Sequence, residues 1–185
     1  MAKSNDEKRR IVFMFGSFDE EMGKKTIEKL LELEYEDPTK DILMFISSSG
    51  GTLDCLLAVH DTIQALRCRV AVYAVGKAMS AAQMLMVSGE KGLRFITPNC
   101  RVLVHQVSSG TFGKVNEMDA DIEECKRLQK LIEKLMTKYC KMTSREVHEM
   151  MQKETYLTAQ QAAEYGMVDE VVESNADVYK KLKLK

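Results

Sequence analysis

Three kinds of residue that together could cleave an acyl bond are found along this chain, each next to a short apolar run. Ser80 and His105 each follow one such run, and the pair Gly50-Gly51 follows a third. A serine hydroxyl can attack a carbonyl, a histidine can take its proton, and glycine lets backbone N–H groups approach an oxyanion. These residue types predict acyl-transfer chemistry, provided that the fold brings them together.

Each of these residues also fits a purely structural role. Ser80 precedes a helix-like segment, where serine is a common N-cap, and a Gly-Gly pair can simply form a tight turn. A histidine that ends an apolar strand, as His105 does, can be a packed and hydrogen-bonded core residue. The residues alone leave these alternatives open, and a hydrolase would also need a carboxylate to orient the imidazole.

Strand–loop–helix units put these residues into an α/β fold. The apolar runs at 41–46 and 70–75 have the length of buried parallel strands, and each is followed by a tight loop and a helical pattern. Two such units in succession predict right-handed βαβ crossovers and a mainly parallel sheet. Ligands bind beyond the carboxyl ends of such strands, which is where the glycine pair, Ser80 and His105 all lie.

A long amphipathic helix is predicted after a flexible loop at 108–113. Its apolar stripe runs from Met118 to Tyr139 with helical spacing, and it can pack on a partner subunit as well as on the core. Capping-box patterns at Thr143 and Thr158 predict two shorter helices, with a short extended segment between them and a last strand at 168–172. We expect a single domain over residues 1–185, with flexible ends at 1–10 and 173–185.

The composition argues against several classes of function. The 185 residues carry 27 Lys and Arg against 28 Asp and Glu, so nothing favours binding to nucleic acid or to an anionic membrane. No apolar run is long enough for a signal peptide or a membrane span. Five scattered cysteines without CxxC spacing and three dispersed histidines do not form a metal-binding pattern. We therefore expect a cytoplasmic protein without a metal site.

Four stretches, in order, resemble the proteolytic subunit of the Clp protease, a family of serine peptidases with a crotonase-like fold. The similarity extends over roughly residues 11–172. The stretches are Ile46-Ser-Ser-Ser-Gly-Gly51, Gly76-Lys-Ala-Met-Ser80-Ala-Ala, Pro98-Asn-Cys-Arg-Val-Leu-Val-His-Gln106 and Leu157-Thr-Ala-Gln-Gln-Ala-Ala-Glu-Tyr-Gly-Met-Val-Asp169. The resemblance implies repeated βαβ units with a long protruding "handle" helix.

The resemblance also implies roles for individual residues. Ser80 would be the nucleophile and His105 the general base. The oxyanion donors would be the backbone N–H groups of Gly51 and Ala81; the family usually has methionine at the second position, but the backbone N–H group is the part that acts. The reaction would need no metal and no cofactor.

The third member of the triad departs from the family pattern. The family has an aspartate two residues before an aromatic residue, and counting back from Tyr156 gives Glu154. The resemblance therefore implies that Glu154 orients His105. Asp169 is a fallback acid, although its counterpart in the family is not the catalytic one.

The resemblance implies an assembly as well. The family forms two stacked seven-membered rings that enclose the active sites, and its ring contacts use the region corresponding to 110–139. We therefore expect a homo-oligomer, heptameric rings stacked as a tetradecamer, that admits unfolded polypeptides or peptides. Only about ten residues precede the first strand, where the family has parts that engage an AAA+ unfoldase, so this partner is left open. Ser49 and Val107 each stand where the family has proline.

Three other interpretations fit part of the pattern. The chain could be a weakly active or inactive structural subunit of a mixed ring, or a standalone peptidase that works without an ATPase. It could also be an acyl-CoA enzyme of the crotonase type, because that fold uses paired backbone donors for a thioester oxyanion. The combination of Ser80 and His105 favours a serine endopeptidase.

Overall fold

The computed structural model of this protein describes residues 10–182, which form seven strands and seven helices. The strands are β1 (Ile11–Phe18), β2 (Ile42–Gly51), β3 (Val70–Met79), β4 (Arg94–Ile96), β5 (Arg101–Val104), β6 (Thr155–Leu157) and β7 (Glu170–Val171). The helices are α1 (Glu20–Glu36), α2 (Leu53–Ala65), α3 (Ala81–Val87), α4 (Val115–Tyr139), α5 (Ser144–Gln152), α6 (Ala159–Glu164) and α7 (Asn175–Lys181).

The strands form one sheet in the order β1-β2-β3-β4-β7, and every pairing along this path is parallel. Strand β5 pairs in parallel with β3, and β6 pairs antiparallel with β5. The prediction of an α/β fold with a mainly parallel sheet is confirmed. Among the strands of residues 10–182, β6 alone runs antiparallel, and it lies beside the strand that leads to His105.

Strand β3 changes its partner partway along its length. Residues 72–74 pair with β4, whereas residues 77–79 pair with β5. Gly76 lies between the two segments with φ +70°, a backbone conformation that glycine adopts without a steric penalty. The strand therefore continues past Val75, where the apolar run predicts its end, and its last residues lie beside β5.

The two faces of the sheet are covered unequally. Alternate residues of β2 and β3 face opposite sides, and the large core on one side includes all of helix α3, which is buried at every position. The smaller cluster on the other side contains Phe45, Tyr73, Phe95 and Val178. Val178 belongs to α7, so this helix covers the second face.

Helix α4 is 25 residues long, and only Ile132 and Met136 in its second half are buried. The prediction of a long helix in this region is confirmed. The first half of its apolar stripe, which includes Met118, Ile122 and Cys125, is half-buried or exposed. This half of α4 therefore has an apolar side that the described core does not cover.

The predicted flexible ends lie only partly within the described residues. Residues 1–9 and 183–185 are outside the described range. Within it, residues 175–181 form α7, which sequence reasoning missed. No helix within residues 10–182 combines the length and the apolar character that a membrane span requires.

Candidate active site

Ser80 occupies a sharp junction between β3 and α3. Its backbone has φ 56° and ψ −128°, and its N–H donates to the Leu103 carbonyl oxygen at 2.9 Å. A positive φ is uncommon for a residue with a Cβ and costs about 1–2 kcal/mol. Although Ser80 stands at the N-cap position, its hydroxyl makes no capping hydrogen bond to α3. The structural explanation of Ser80 as a helix cap therefore fails.

Gly50 packs directly against this junction. A Cβ built on Gly50 would lie 2.8 Å from the Ser80 Cβ and 3.0 Å from the Ala81 nitrogen, and Gly50 has φ +94°. Only glycine fits this position without displacing the serine. Sequence reasoning assigned a role to Gly51 and missed that of Gly50, although the Gly-Gly pair itself was the available signal.

Gly51 is held from the other side. A Cβ on Gly51 would lie 2.1 Å from the Phe18 carbonyl oxygen, which also accepts a hydrogen bond from the Thr52 N–H at 2.8 Å. The buried Ser48 hydroxyl donates to the Gly16 carbonyl oxygen and accepts from the Gly50 N–H at 2.9 Å. The sequence pattern predicts a loop here, but residues 48–51 continue β2 and pair with β1 and β3.

His105 follows β5 directly and is half-buried. Because Met79 pairs with Leu103, the ends of β3 and β5 bring Ser80 and His105 to the same edge of the sheet. Both side chains line one cavity of about 130 Å³, together with Gly51 and Ala81. The apolar part of its wall is formed by Leu53, Leu56, Met84, Val107, Ile132 and Met151.

Ala81 is the first residue of α3, so its backbone N–H has no intrahelical acceptor. The positive end of the helix dipole favours negative charge at this point. A serine, a histidine and a backbone N–H at a helix start thus share one small cavity. This arrangement can attack a carbonyl and stabilise the resulting oxyanion.

Glu154 lies close to His105 in register but does not line the cavity. Strands β5 and β6 pair Val104 with Thr155 as their last pair, and one further step, which the strands do not form, would set His105 opposite Glu154. Directly opposed residues of antiparallel strands have Cβ atoms about 4.5–5.5 Å apart. However, the Glu154 side chain is exposed and its backbone has φ 51°. Glu154 does not line the cavity around Ser80.

Nor does Glu154 donate to or accept from His105 anywhere in the described hydrogen-bond network. The nearest bonds in sequence join the Val107 N–H to Gln129 at 2.8 Å and the Thr155 hydroxyl to the Met150 carbonyl oxygen at 2.9 Å. A left-handed backbone at Glu154 redirects its side chain relative to a regular strand. The role of Glu154 as the orienting acid therefore stays a prediction.

Asp169, the fallback acid, is engaged elsewhere. It forms a two-pronged ion pair with the buried Arg94, at 2.6 Å and 3.0 Å, and accepts from the Gly92 N–H at 2.7 Å. Burial acts to raise the pKa of Asp169, but the Arg94 guanidinium and the backbone N–H donors outweigh it and hold the pKa below its usual value. Asp169 is a structural carboxylate that ties β7 to β4.

The other two histidines also have structural partners. The buried His60 bonds through Nδ1 to the Ser88 hydroxyl at 2.8 Å, and that hydroxyl donates to the Met84 carbonyl oxygen at 2.8 Å. Burial lowers the pKa of His60, so it stays neutral. His148 pairs with Glu133 on α4 at 2.8 Å. Neither lines the cavity around Ser80.

Metal and thiol chemistry have little support in the described part of the chain. No group of three or more His, Cys, Asp or Glu side chains that could hold a metal ion is present among residues 10–182. Burial raises the pKa of Cys100 and of Cys140 to about 12, so both thiols stay protonated near neutral pH. Ser80 is therefore the nucleophile that the geometry favours.

Comparison with known proteins shows which family this chain is similar to. A family model described as Clp protease matches residues 4–175 of the chain. The chain is also 37% identical over 163 residues to a protein of Rhodopirellula baltica named ATP-dependent Clp protease proteolytic subunit 1. That match covers 88% of this chain and 72% of the relative.

Proposed function

This chain belongs to the Clp protease family and is a serine-type endopeptidase, and we propose that it hydrolyses peptide bonds of unfolded polypeptides or peptides with Ser80 as its nucleophile. One observation carries the assignment. The Ser80 hydroxyl caps nothing, although it stands at a strained strand-to-helix junction, and it shares a cavity with His105, Gly51 and Ala81. Strain of this kind persists where a residue must be held in a working position.

The proposed reaction uses these groups in sequence. His105 takes the proton of Ser80 as the oxygen attacks the peptide carbonyl, and later returns a proton to the leaving amine. The N–H groups of Gly51 and Ala81 hold the oxyanion of the tetrahedral intermediate. Water then attacks the acyl-serine ester by the same route and releases the second product. Losing one oxyanion donor costs about 10²–10³ in turnover.

Glu154 is proposed to orient His105. The β5–β6 register supports this role, because its last pair, Val104 with Thr155, lies next to both His105 and Glu154. In this proposal the left-handed backbone at Glu154 relaxes toward the strand conformation when substrate binds, and the carboxylate then reaches the imidazole. Catalytic hydrogen bonds are often long or poorly aligned before substrate is present.

We further propose that the subunits assemble into heptameric rings stacked as a tetradecamer in the cytoplasm, with an AAA+ unfoldase as partner. The uncovered apolar side of α4, from Met118 to Cys125, supports a subunit contact on this helix. The relative from Rhodopirellula baltica is named as the proteolytic subunit of an ATP-dependent protease, which supports an ATPase partner. Enclosure of the sites would exclude folded proteins from a nonspecific peptidase.

Labelling with a fluorophosphonate, read by intact mass, tests the assignment of the nucleophile. The wild-type protein is expected to gain one adduct per chain, and Ser80→Ala to gain none. Ser49→Ala is a matched control, because Ser49 is an exposed serine in the neighbouring glycine segment and is expected to leave labelling unchanged. Equal labelling of Ser80→Ala and wild type would show that another residue is the nucleophile.

A further inference from the structure

A side-chain amide on α4 anchors the segment that follows His105. The Val107 backbone N–H donates to Oε1 of Gln129 at 2.8 Å. Residue 107 is proline in the family that the chain resembles, and proline has no N–H to donate. This hydrogen bond therefore exists because valine stands at the position.

The Gln129 amide is held in one orientation by its other contacts. Its Nε2 donates to the Glu133 carboxylate at 2.9 Å and lies 3.6 Å from the Met151 sulfur. Since both amide hydrogens point toward acceptors, Oε1 is the atom that faces Val107. Glu133 is in turn paired with His148 of α5 at 2.8 Å, so the amide belongs to a chain of contacts across α4 and α5.

The position of His105 depends on this anchor. Pairing between β5 and β6 ends at Val104, and no regular secondary structure follows until α4 begins at Val115. The backbone around His105 is therefore fixed by the last β5–β6 pair at Val104 before it and by the hydrogen bond from the Val107 N–H to Gln129 after it. Gln129 does not line the cavity around Ser80, but it contacts two residues that do, Val107 by the backbone hydrogen bond and Met151 through its sulfur. Val107 is two residues from His105, so the hydrogen bond to its N–H is the contact that bears on the position of the imidazole.

We propose that Gln129 is a positioning residue that holds His105 in line with Ser80. This inference rests on the proposed role of His105 as general base. Removing the acceptor frees the segment to move, and a misplacement of about 1 Å can cost about 10²-fold in rate. Loss of this one hydrogen bond is expected to displace His105 by less than about 1 Å, and kcat is therefore expected to fall about tenfold. KM is expected to change less than about twofold, because no group that contacts substrate is altered.

Kinetics of Gln129→Met on a short fluorogenic peptide test the proposal, measured on the full-length assembled protein. Methionine keeps the length and the helix propensity of glutamine but has no amide oxygen. Glu133→Gln keeps an oxygen acceptor for the Gln129 Nε2 and leaves the bond between Gln129 and the Val107 N–H in place, so it is expected to retain kcat within about threefold of wild type. Lys130→Ala, an exposed neighbour on α4, is the control and is expected to leave kcat unchanged.

A double-mutant cycle identifies the bond through which Gln129 acts. Val107→Pro removes the donor, so adding Gln129→Met to it is expected to lower kcat no further. The proposal is overturned if Gln129→Met keeps the wild-type kcat or changes only KM. It is also overturned if Gln129→Met lowers kcat by the same factor in the Val107→Pro background as in the wild type. If Gln129→Met labels fully with the fluorophosphonate and keeps the wild-type kcat, the role of Gln129 is rejected and the proposed function stands. If Ser80→Ala labels as well as wild type, the proposed nucleophile is rejected instead.

Discussion

Adding one methyl group at Gly50 tests how closely the β2 strand end supports Ser80, the proposed nucleophile. In Gly50→Ala the new Cβ would lie 2.7 Å from the Met79 carbonyl oxygen, 2.8 Å from the Ser80 Cβ and 3.0 Å from the Ala81 nitrogen. All three atoms belong to the junction that presents the hydroxyl and the proposed oxyanion donor. None of them is the far end of a flexible side chain, so the backbone itself must move.

The size of this movement follows from the contact distances. Ordinary van der Waals contact for a Cβ begins near 3.4 Å, so relief of the overlaps requires shifts of about 0.4–0.7 Å. Shifts of this size at a reacting group are expected to lower kcat about 10- to 100-fold. The left-handed backbone at position 50, φ +94°, adds about 1–2 kcal/mol of destabilisation for any residue with a Cβ.

A second glycine separates the two effects. Gly92 has φ +89°, close to that of Gly50, but a Cβ built there meets nothing within 4 Å. Gly92→Ala is therefore expected to lower the free energy of unfolding by the same amount, about 1–2 kcal/mol, and to keep its activity. Peptide hydrolysis and fluorophosphonate labelling would be measured for both variants well below their melting temperatures, with stability determined by urea unfolding.

The comparison gives a clear outcome. Gly50→Ala should be far less active than Gly92→Ala at similar stability, and it should label slowly, because Ser80 and the proposed oxyanion donor Ala81 are both displaced. If the two variants differ by less than about threefold in kcat, the contact between Gly50 and Ser80 is not needed for catalysis, and the reasoning from these distances is wrong.

Three further predictions concern charged and titratable groups. Glu154→Gln is expected to lower kcat by about 10²-fold or more while Glu154→Asp retains activity, and equal kinetics in both would remove Glu154 from the triad. Asp169→Asn is expected to lower the free energy of unfolding in urea by about 3 kcal/mol, because it leaves the buried Arg94 charge unpaired. A variant that replaces both Asp169 and Arg94 with uncharged residues should lose much less stability. Burial lowers the pKa of His60 below 6.5, so the unfolded chain binds that proton more readily. Stability is then full above about pH 6.5 and falls as the pH drops toward the folded pKa, and His60→Asn should flatten this dependence.

Local patterns in the sequence predict the parts of the site that lie along single elements. Ser80 lies at a strand-to-helix junction and His105 at a strand end, and both features follow from short apolar runs and the residues that interrupt them. The parallel sheet follows in the same way, since successive strand–loop–helix units have few other ways to pack. The helix α7 was missed because its seven residues carry a short, mostly polar pattern, with Val178 as its buried side chain.

Local sequence patterns are enough to identify the residue types that could do the chemistry and to put them at the carboxyl ends of strands, because periodicity and chain direction are local properties. How these residues meet depends on the folded chain. Strand β3 exchanges β4 for β5 at Gly76, Gly50 leaves no room for a side chain beside Ser80, and β6 runs antiparallel to β5, with Thr155 paired to Val104 next to His105. Each of these depends on pairing between segments far apart in the chain, and such long-range pairing is set by the packing of the whole sheet rather than by any one stretch of sequence.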